Sequence, residues 1–97
     1  MIEIEKQPNF TNIDLEDLLS TRLRVKVLKW LVQRKESNIS SIVKGTNSNH
    51  QEILKILHYF KEINLIEEKT YGRIRILRLK TETLVGKLVY DFFSAFQ

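Results

Sequence analysis

Apolar residues recur at helical spacing along most of this chain, and the pattern begins at Ile13. A short apolar stripe there precedes a longer helix, predicted for about residues 20–35 with Ser20 as its N-cap. The apolar face of the longer helix holds Leu23, Val27, Leu28, Trp30, Leu31 and Val32. A second face holds Arg22, Lys26, Lys29 and Gln33, so the helix is predicted to be amphipathic.

Two further helices, joined by a tight turn, are predicted next. Ser40 is a candidate N-cap for the short helix SIVKGT, and Asn47 interrupts it because asparagine tolerates a left-handed φ. Ser48 and Gln51 have the spacing of a capping box, which indicates that a second helix starts there. The buried stripe of that helix is predicted to hold Ile53, Ile56, Leu57, Phe60 and Ile63.

A β-hairpin is predicted after Asn64, the expected left-handed C-cap of that helix. It covers about residues 65–79, and residues 70–72 join its strands, with Gly72 available for the positive φ of a bulged turn. The second strand has a conflict of phase, because each face receives one apolar pair: Ile74 with Ile76, and Leu77 with Leu79. A bulge or twist is therefore expected, and which pair faces the core stays open.

A last helix is predicted for about residues 82–96, with Thr81 as its cap. It carries seven large apolar residues in two adjacent columns: Leu84, Val85, Leu88, Val89, Phe92, Phe93 and Phe96. A domain of this size is not expected to bury so wide a stripe by itself. We therefore expect a second copy of the chain to cover the rest of it in a homodimer. A membrane-surface helix is the alternative, but the polar face offers Lys87 as its cation together with the acidic Asp91, which suits anionic lipid poorly.

Length and composition place these elements in one domain. With 97 residues, 42% of them hydrophobic, the chain can build one core, so residues 1–12 are predicted to be an arm, with a short strand at residues 2–4, and residues 13–97 a single domain. The lack of cysteine excludes a disulfide scaffold, a thiolate zinc site and a cysteine nucleophile. The sequence has no apolar run of membrane-spanning length and MIEIEKQPNF has no signal-peptide core, so we expect a cytoplasmic protein without a membrane partner.

Charge is unevenly spread. The net charge is +4, yet the first 20 residues hold one lysine and five acidic residues, which leaves +8 for the rest. A basic body favours an anionic partner such as nucleic acid, with a solvated basic surface as the alternative. His50 and His58 lie too far around their helix to chelate a metal, and no glycine-rich phosphate loop or nucleophile motif is present. We therefore predict no metal, no cofactor, no small-molecule ligand and no enzyme activity.

The predicted elements have the layout of a winged helix-turn-helix, in which a helix is followed by a short helix, a tight turn, a further helix and a hairpin. Over about residues 20–80 the chain resembles the winged-helix repressors of the ArsR and MarR types, particularly small archaeal and archaeal-virus regulators. The matching stretches are TRLRVKVLKWL, ISSIVKGTNSNHQEILKILHYFKEINLIEE and YGRIRILRL. With the added C-terminal dimerisation helix, the expected fold is α+β and mostly helical. The resemblance implies a homodimeric, sequence-specific repressor of transcription that binds double-stranded DNA.

The resemblance further implies that the helix after the tight turn, the third of this layout, lies in the major groove. Its DNA-facing side would hold Ser48, Asn49, His50, Gln51, Leu54 and Lys55. Asn49 and Gln51 carry the amide donor and acceptor that pair with adenine, unless capping occupies Gln51. Leu54 would either touch a thymine methyl group or pack partly buried.

The hairpin would be the wing. Arg73 and Arg75 alternate beside Gly72, with Lys69 and Tyr71 across the turn, which suits contact with phosphates or with a narrow minor groove. A solvated edge strand is the alternative. Lys44 and Lys55 are predicted phosphate contacts, whereas Arg22, Lys26 and Lys29 are interpreted as hydrated.

Two other functions fit the same pattern. A winged helix can serve as a protein-interaction module in which the charge of the wing is incidental. It can also act as an architectural DNA-binding protein that reads no bases. Weak, salt-insensitive DNA binding would favour the first function, and equal affinity for unrelated duplexes would favour the second.

Overall fold

A computed structural model describes residues 13–96, and these form five helices and three short strands. In chain order the elements are α1 (Leu15–Leu18), α2 (Arg22–Gln33), β1 (Ser37–Asn38), α3 (Ile39–Thr46), α4 (His50–Glu62), β2 (Ile66–Tyr71), β3 (Ile74–Leu79) and α5 (Leu84–Ser94). The predicted arm with its strand, and Gln97, lie outside the described residues. The order is that of the winged helix-turn-helix, which confirms the predicted fold class.

Helix starts depend on which side-chain oxygen reaches a free backbone N–H. Thr21 caps the start of α2. Its backbone is extended, with φ −132° and ψ 155°, and its hydroxyl accepts a hydrogen bond from the amide of Arg24 at 3.1 Å. Nearby residues offer competing caps, and for α2, α3 and α5 the sequence pattern selects the wrong residue. The observed caps are Thr21, Asn38 and Thr83 in place of the predicted Ser20, Ser40 and Thr81.

The turn between α3 and α4 is made by two asparagines. Asn47 has φ 53° and ψ 51°, which confirms the predicted left-handed break. The next helix is capped by Asn49, whose Oδ1 accepts from the amide of Glu52 at 2.8 Å. The predicted capping box of Ser48 and Gln51 is therefore wrong, because an asparagine one position later takes the cap. Beyond α4, the positive φ of 62° at Asn64 confirms the predicted left-handed residue there.

The core lies between α2, α3, α4, the inner face of the hairpin and α5. Its fully buried side chains include Val27, Leu28, Leu31, Ile42, Ile53, Phe60, Leu65 and Leu77. Helix α3 approaches α2 closely because Gly45 has no side chain, and a Cβ there would lie 2.0 Å from Cζ3 of Trp30. The indole Nε1 of Trp30 donates to the hydroxyl of Ser37 at 2.9 Å. Gly45 and Trp30 thus bring α3, the helix before the turn, into close contact with α2.

The three strands form an antiparallel sheet in the order β1-β3-β2. Pairing of β2 with β3 is regular from Ile66 opposite Leu79 to Tyr71 opposite Ile74. The turn therefore holds two residues, Gly72 and Arg73, with φ 61° at Gly72 as in a type II′ turn.

Of the two alternatives predicted, a bulge or a twist, the bulge is thus wrong. Leu77 and Leu79 face the core, whereas Ile74 is 54% exposed and Ile76 is half-buried. The conflict of phase needs no extra residue, because the tip of the hairpin projects past the core and both of its faces meet solvent there.

Helix α5 packs against α2 along one of its two apolar columns. Val85, Val89 and Phe93 are buried in the core of the same chain, which removes them from the predicted dimer interface. Leu84, Leu88, Phe92 and Phe96 form the other column and are between 46% and 69% exposed. The two columns differ because successive residues lie about 100° apart around a helix, so one turns inward and the other outward. Within residues 13–96 no helix is both long and apolar enough to cross a membrane.

Candidate nucleic-acid interface

An exposed ridge runs along α4 on the side opposite the core. Ile53, Ile56, Leu57 and Phe60 are buried, so the side chains half a turn away point outward. That outward line is Gln51, Lys55, His58 and Glu62, all exposed. These side chains have the spacing of four, three and four residues that keeps them on one helix face, and we call the first three, Gln51, Lys55 and His58, the ridge.

Sequence reasoning missed His58, whose side chain is 74% exposed and whose Nε2 lies 3.6 Å from Oε2 of Glu62. Its signal was its position three residues after Lys55 on the same face. The acidic Glu62 follows the ridge on the same helix face and makes that end of α4 less suited to an anionic partner. The first two turns, with Gln51 and Lys55, are therefore the part that can contact nucleic acid.

The turn before α4 reverses the roles expected of two amides. Asn49 uses its carbonyl oxygen as the helix cap, which holds its side chain against the first turn of α4 and leaves it less free to pair with adenine. Gln51 is exposed and caps nothing. Ser48 is half-buried, and its Oγ lies 2.8 Å from Oγ1 of Thr46. Of the predicted base-reading amides, Gln51 is thus the better placed.

One flank of α4 faces the start of α2. A cleft of about 420 Å³ is lined there by Arg22, Leu23, Lys26, Thr46, Asn47, Ser48, Asn49 and Glu52. Arg22 and Lys26 are exposed and lie beside the turn, although the sequence pattern led us to interpret them as hydrated surface residues without a DNA contact. Their four-residue spacing was visible in the sequence. Only the packing of α2 against the turn shows that they adjoin α4.

The other flank faces the wing. A cleft of about 250 Å³ is lined there by Asn38, Ile39, Ser40, His50, Arg73, Ile74 and Arg75. His50 therefore lies on the wing side of α4 and not on the ridge. Arg73 sits in the exposed hairpin turn, and within residues 13–96 it has no hydrogen-bond or ion-pair partner. The two cationic flanks thus lie on opposite sides of the ridge.

Arg75 is held differently from Arg73. Its Nε and Nη2 donate to the two carboxylate oxygens of Glu68, the second at 3.2 Å, and Nζ of Lys61 donates to the same carboxylate at 2.7 Å. The Glu68 side chain is only 14% exposed. The hydrogen bond from Arg75, with that from Lys61, lowers the pKa of Glu68 to about 2. Arg75 is therefore occupied within the protein.

The remaining predicted contacts are scattered. Lys69 pairs across the strands with Ile76, on the opposite face of the hairpin from Arg75, and its Nζ is 3.7 Å from Glu67. Tyr71, 61% exposed, lies on the face of Lys69. Lys44 lines a separate cleft of about 710 Å³ with Trp30, Arg34, Glu36, Ser37, Asn38, Ser41, Gly45 and Ile76. Among residues 13–96, no three His, Cys, Asp or Glu side chains cluster to hold a metal ion.

Solved structures share this fold at low sequence identity. A MarR family transcriptional regulator from Silicibacter pomeroyi is 20% identical, with a TM-score of 0.63, over 82% of this chain and 57% of its own. AF1382 from Archaeoglobus fulgidus is 19% identical, with a TM-score of 0.62, over 87% of this chain and 98% of its own. An ArsR family transcriptional regulator is 17% identical, with a TM-score of 0.60, over 98% of this chain and 88% of its own.

The chain thus spans little more than half the length of the MarR family regulator. No protein-family model matches the sequence, and no curated protein matches it either. These structures establish a winged-helix fold for residues 13–96.

Proposed function

We propose that this chain is a homodimeric regulator of transcription that binds double-stranded DNA in a sequence-specific way, acts as a repressor in the cytoplasm and catalyses no reaction. The observation that carries the proposal is the ridge of α4, which has exposed cations on both sides. Two of the structures with this fold are named as transcriptional regulators, which supports it. The archaeal or viral origin suggested by the resemblance stays a prediction.

The ridge suits the major groove. That groove is about 12 Å wide and admits one α-helix, whose exposed side chains meet the base edges. Gln51 would pair with adenine and Lys55 would contact a guanine or a phosphate. Arg22 and Lys26 on one side, and Arg73 on the other, would then meet the phosphates that border the groove or, for Arg73, the adjacent minor groove.

Homodimerisation through α5 completes the proposal. Leu84, Leu88, Phe92 and Phe96 form an exposed apolar column, and a face of this kind is stabilised by covering it. We assign the covering surface to a second copy because the column is bordered by Lys87 and Asp91, one residue of each charge. Two antiparallel copies of α5 about a two-fold axis would bring these unlike charges opposite each other. Two recognition helices about 34 Å apart would then select an inverted repeat.

The first experiment selects binding sites from a pool of random duplexes and measures affinity for the selected site at several salt concentrations. We expect an inverted repeat and a steep fall in affinity with salt. Arg73→Gln should reduce the slope of log affinity against log salt by about 1, because one phosphate contact is lost. Gln51→Ala should lower affinity for the selected site by about tenfold and relax the preference at one base pair.

Lys80→Gln is the matched control. It removes the same charge from the base of the hairpin, where Lys80 donates to Asn64 at 2.7 Å, about 20 Å along the strand from Arg73. We expect its slope to match that of the wild type. Equal affinity for every duplex would support an architectural protein instead. A folded protein that binds no duplex at low salt would overturn the proposal in favour of a protein-interaction module.

A further inference from the structure

Glu68 joins three elements through one carboxylate. It stands on β2 and accepts hydrogen bonds from Lys61 of α4 and from Arg75 of β3. The recognition helix and both strands of the wing therefore meet at this residue. We call Lys61, Glu68 and Arg75 the clamp. All three side chains are at most 43% exposed, so solvent screens the pairs less than it screens a typical surface ion pair.

The clamp lies where the wing leaves the core. Glu68 is paired across the strands with Leu77, which is fully buried. The next pair whose side chains lie on the same, core-facing side of the hairpin is Ile66 with Leu79, and both are also buried. Beyond Glu68, residues 69–75 are exposed. The buried apolar residues thus hold the base of the hairpin, and the clamp ties the hairpin to α4 next to the exposed tip. The turn lies about 13 Å farther along the strand. A small change in the angle of the hairpin at the clamp therefore displaces the turn far more than it displaces the residues of the clamp.

We propose that Glu68 is a positioning residue for DNA binding: by holding Lys61 and Arg75 together, it sets the angle between the recognition helix and the wing. Arg73 is then delivered to the DNA at a fixed distance from the ridge. This inference rests on the proposed DNA-binding function. It assigns a favourable role to an acidic residue in a surface that otherwise works through positive charge.

The sign of the charge effect makes the proposal testable. Removing a carboxylate near a DNA-binding surface normally strengthens binding, because repulsion of the phosphates falls. If Glu68 positions the wing, Glu68→Gln should instead bind the selected site about tenfold more weakly. Glu62→Gln is the control, since it removes an equal charge from a side chain that is 66% exposed next to Lys61. Its affinity should equal or exceed that of the wild type.

A double-mutant cycle separates positioning from general destabilisation. If the clamp delivers Arg73, then Arg73→Gln should cost much less affinity in the Glu68→Gln protein than in the wild type. A merely structural role would leave the two effects additive. Urea unfolding of each variant would confirm that all are folded at the temperature of the binding assay.

A measurement without DNA tests the same inference. The ¹⁵N heteronuclear NOE of Gly72 should fall in Glu68→Gln and stay unchanged in Glu62→Gln, because the tip gains motion only when the clamp is lost. If the wild type binds no DNA, the proposed function fails while this readout still reports on the clamp. If the wild type binds but Glu68→Gln binds equally or more tightly, and its effect adds to that of Arg73→Gln, the positioning role is overturned.

Discussion

At Gly86, in the first turn of α5, the surrounding atoms leave no room for a Cβ. A Cβ there would lie 1.9 Å from the carbonyl oxygen of Lys80 and 2.9 Å from Oγ1 of Thr83. That carbonyl also accepts from the amide and the hydroxyl of Thr83, at 3.1 and 2.8 Å, so it cannot simply move aside. Glycine therefore lets the chain enter α5 directly after the wing.

Gly86→Ala should accordingly lower the free energy of unfolding by about 3 kcal/mol, because the backbone around Lys80 must shift. Gly72→Asn is the comparison: no atom lies within 4 Å of a Cβ at Gly72, so only the positive φ of 61° opposes a side chain there. We expect that variant to lose about 1 kcal/mol, from backbone strain alone. Urea unfolding monitored by circular dichroism measures both, and equal stability of the two variants would contradict the packing argument.

Glu68 makes stability depend on pH. Its pKa is lowered from 4.5 to about 2 in the folded state, so the unfolded chain binds the proton first as pH falls. The stabilisation is complete above about pH 4.5 and is lost between there and pH 2. The wild type should therefore lose more stability than Glu68→Gln between pH 6 and pH 3, in urea titrations at each pH. Parallel losses would show that the ion pairs of the clamp contribute nothing.

At the scale of the element, α4 depends on its cap. Asn49 closes the first turn through the amide of Glu52, and α4 is the helix that the proposal places in the major groove. Asn47, with its left-handed φ, only breaks α3. The two asparagines therefore have different roles, although they are two residues apart.

Asn49→Ala should destabilise the protein by about 1 kcal/mol, the usual cost of losing an N-cap. Gln51→Ala should change stability by less than about 0.5 kcal/mol, since Gln51 is exposed and caps nothing. Asn49→Asp should keep the cap, because aspartate is an equally good cap, while adding a negative charge that weakens DNA binding. Thermal and urea unfolding of the three variants check the order. A larger loss for Gln51→Ala than for Asn49→Ala would restore the capping box.

At the scale of the whole molecule, the two columns of α5 separate folding from association. The inner column stabilises the chain itself, whereas the outer column is exposed and can change without opening the core. Sedimentation equilibrium of the 11.5 kDa chain should show twice that mass at micromolar concentration. Leu88→Lys with Phe92→Lys should sediment as a folded monomer and lose the preference for an inverted repeat over a half-site.

Val89→Lys is the contrasting variant, because Val89 is buried and a lysine there should unfold the domain. A wild type that sediments as a monomer at tens of micromolar would contradict the dimer.

Local sequence determined several features of this protein. The left-handed residues Asn47 and Asn64 end α3 and follow α4 where predicted, since asparagine suits that conformation without help from the rest of the fold. The predicted apolar stripe of α4 was correct for Ile53, Ile56, Leu57 and Phe60, because burial of a helix face follows directly from its 3.6-residue period, whereas Ile63 is half-buried just past the helix. The order of these elements was enough to predict a winged helix-turn-helix.

Only the tertiary structure decided how the surfaces are used. Which column of α5 faces inward depends on how α5 packs against α2, and both columns look alike in sequence. Arg73 and Arg75 also look alike, yet Glu68 accepts hydrogen bonds from Arg75 and from Lys61, each seven positions away, and leaves Arg73 exposed. Arg22 and Lys26 line a cleft with the start of α4, although the two helices are far apart in sequence. Periodicity and capping act within a few residues, so the sequence determined the elements, whereas pairing of distant side chains determined which charges and which apolar face remain available.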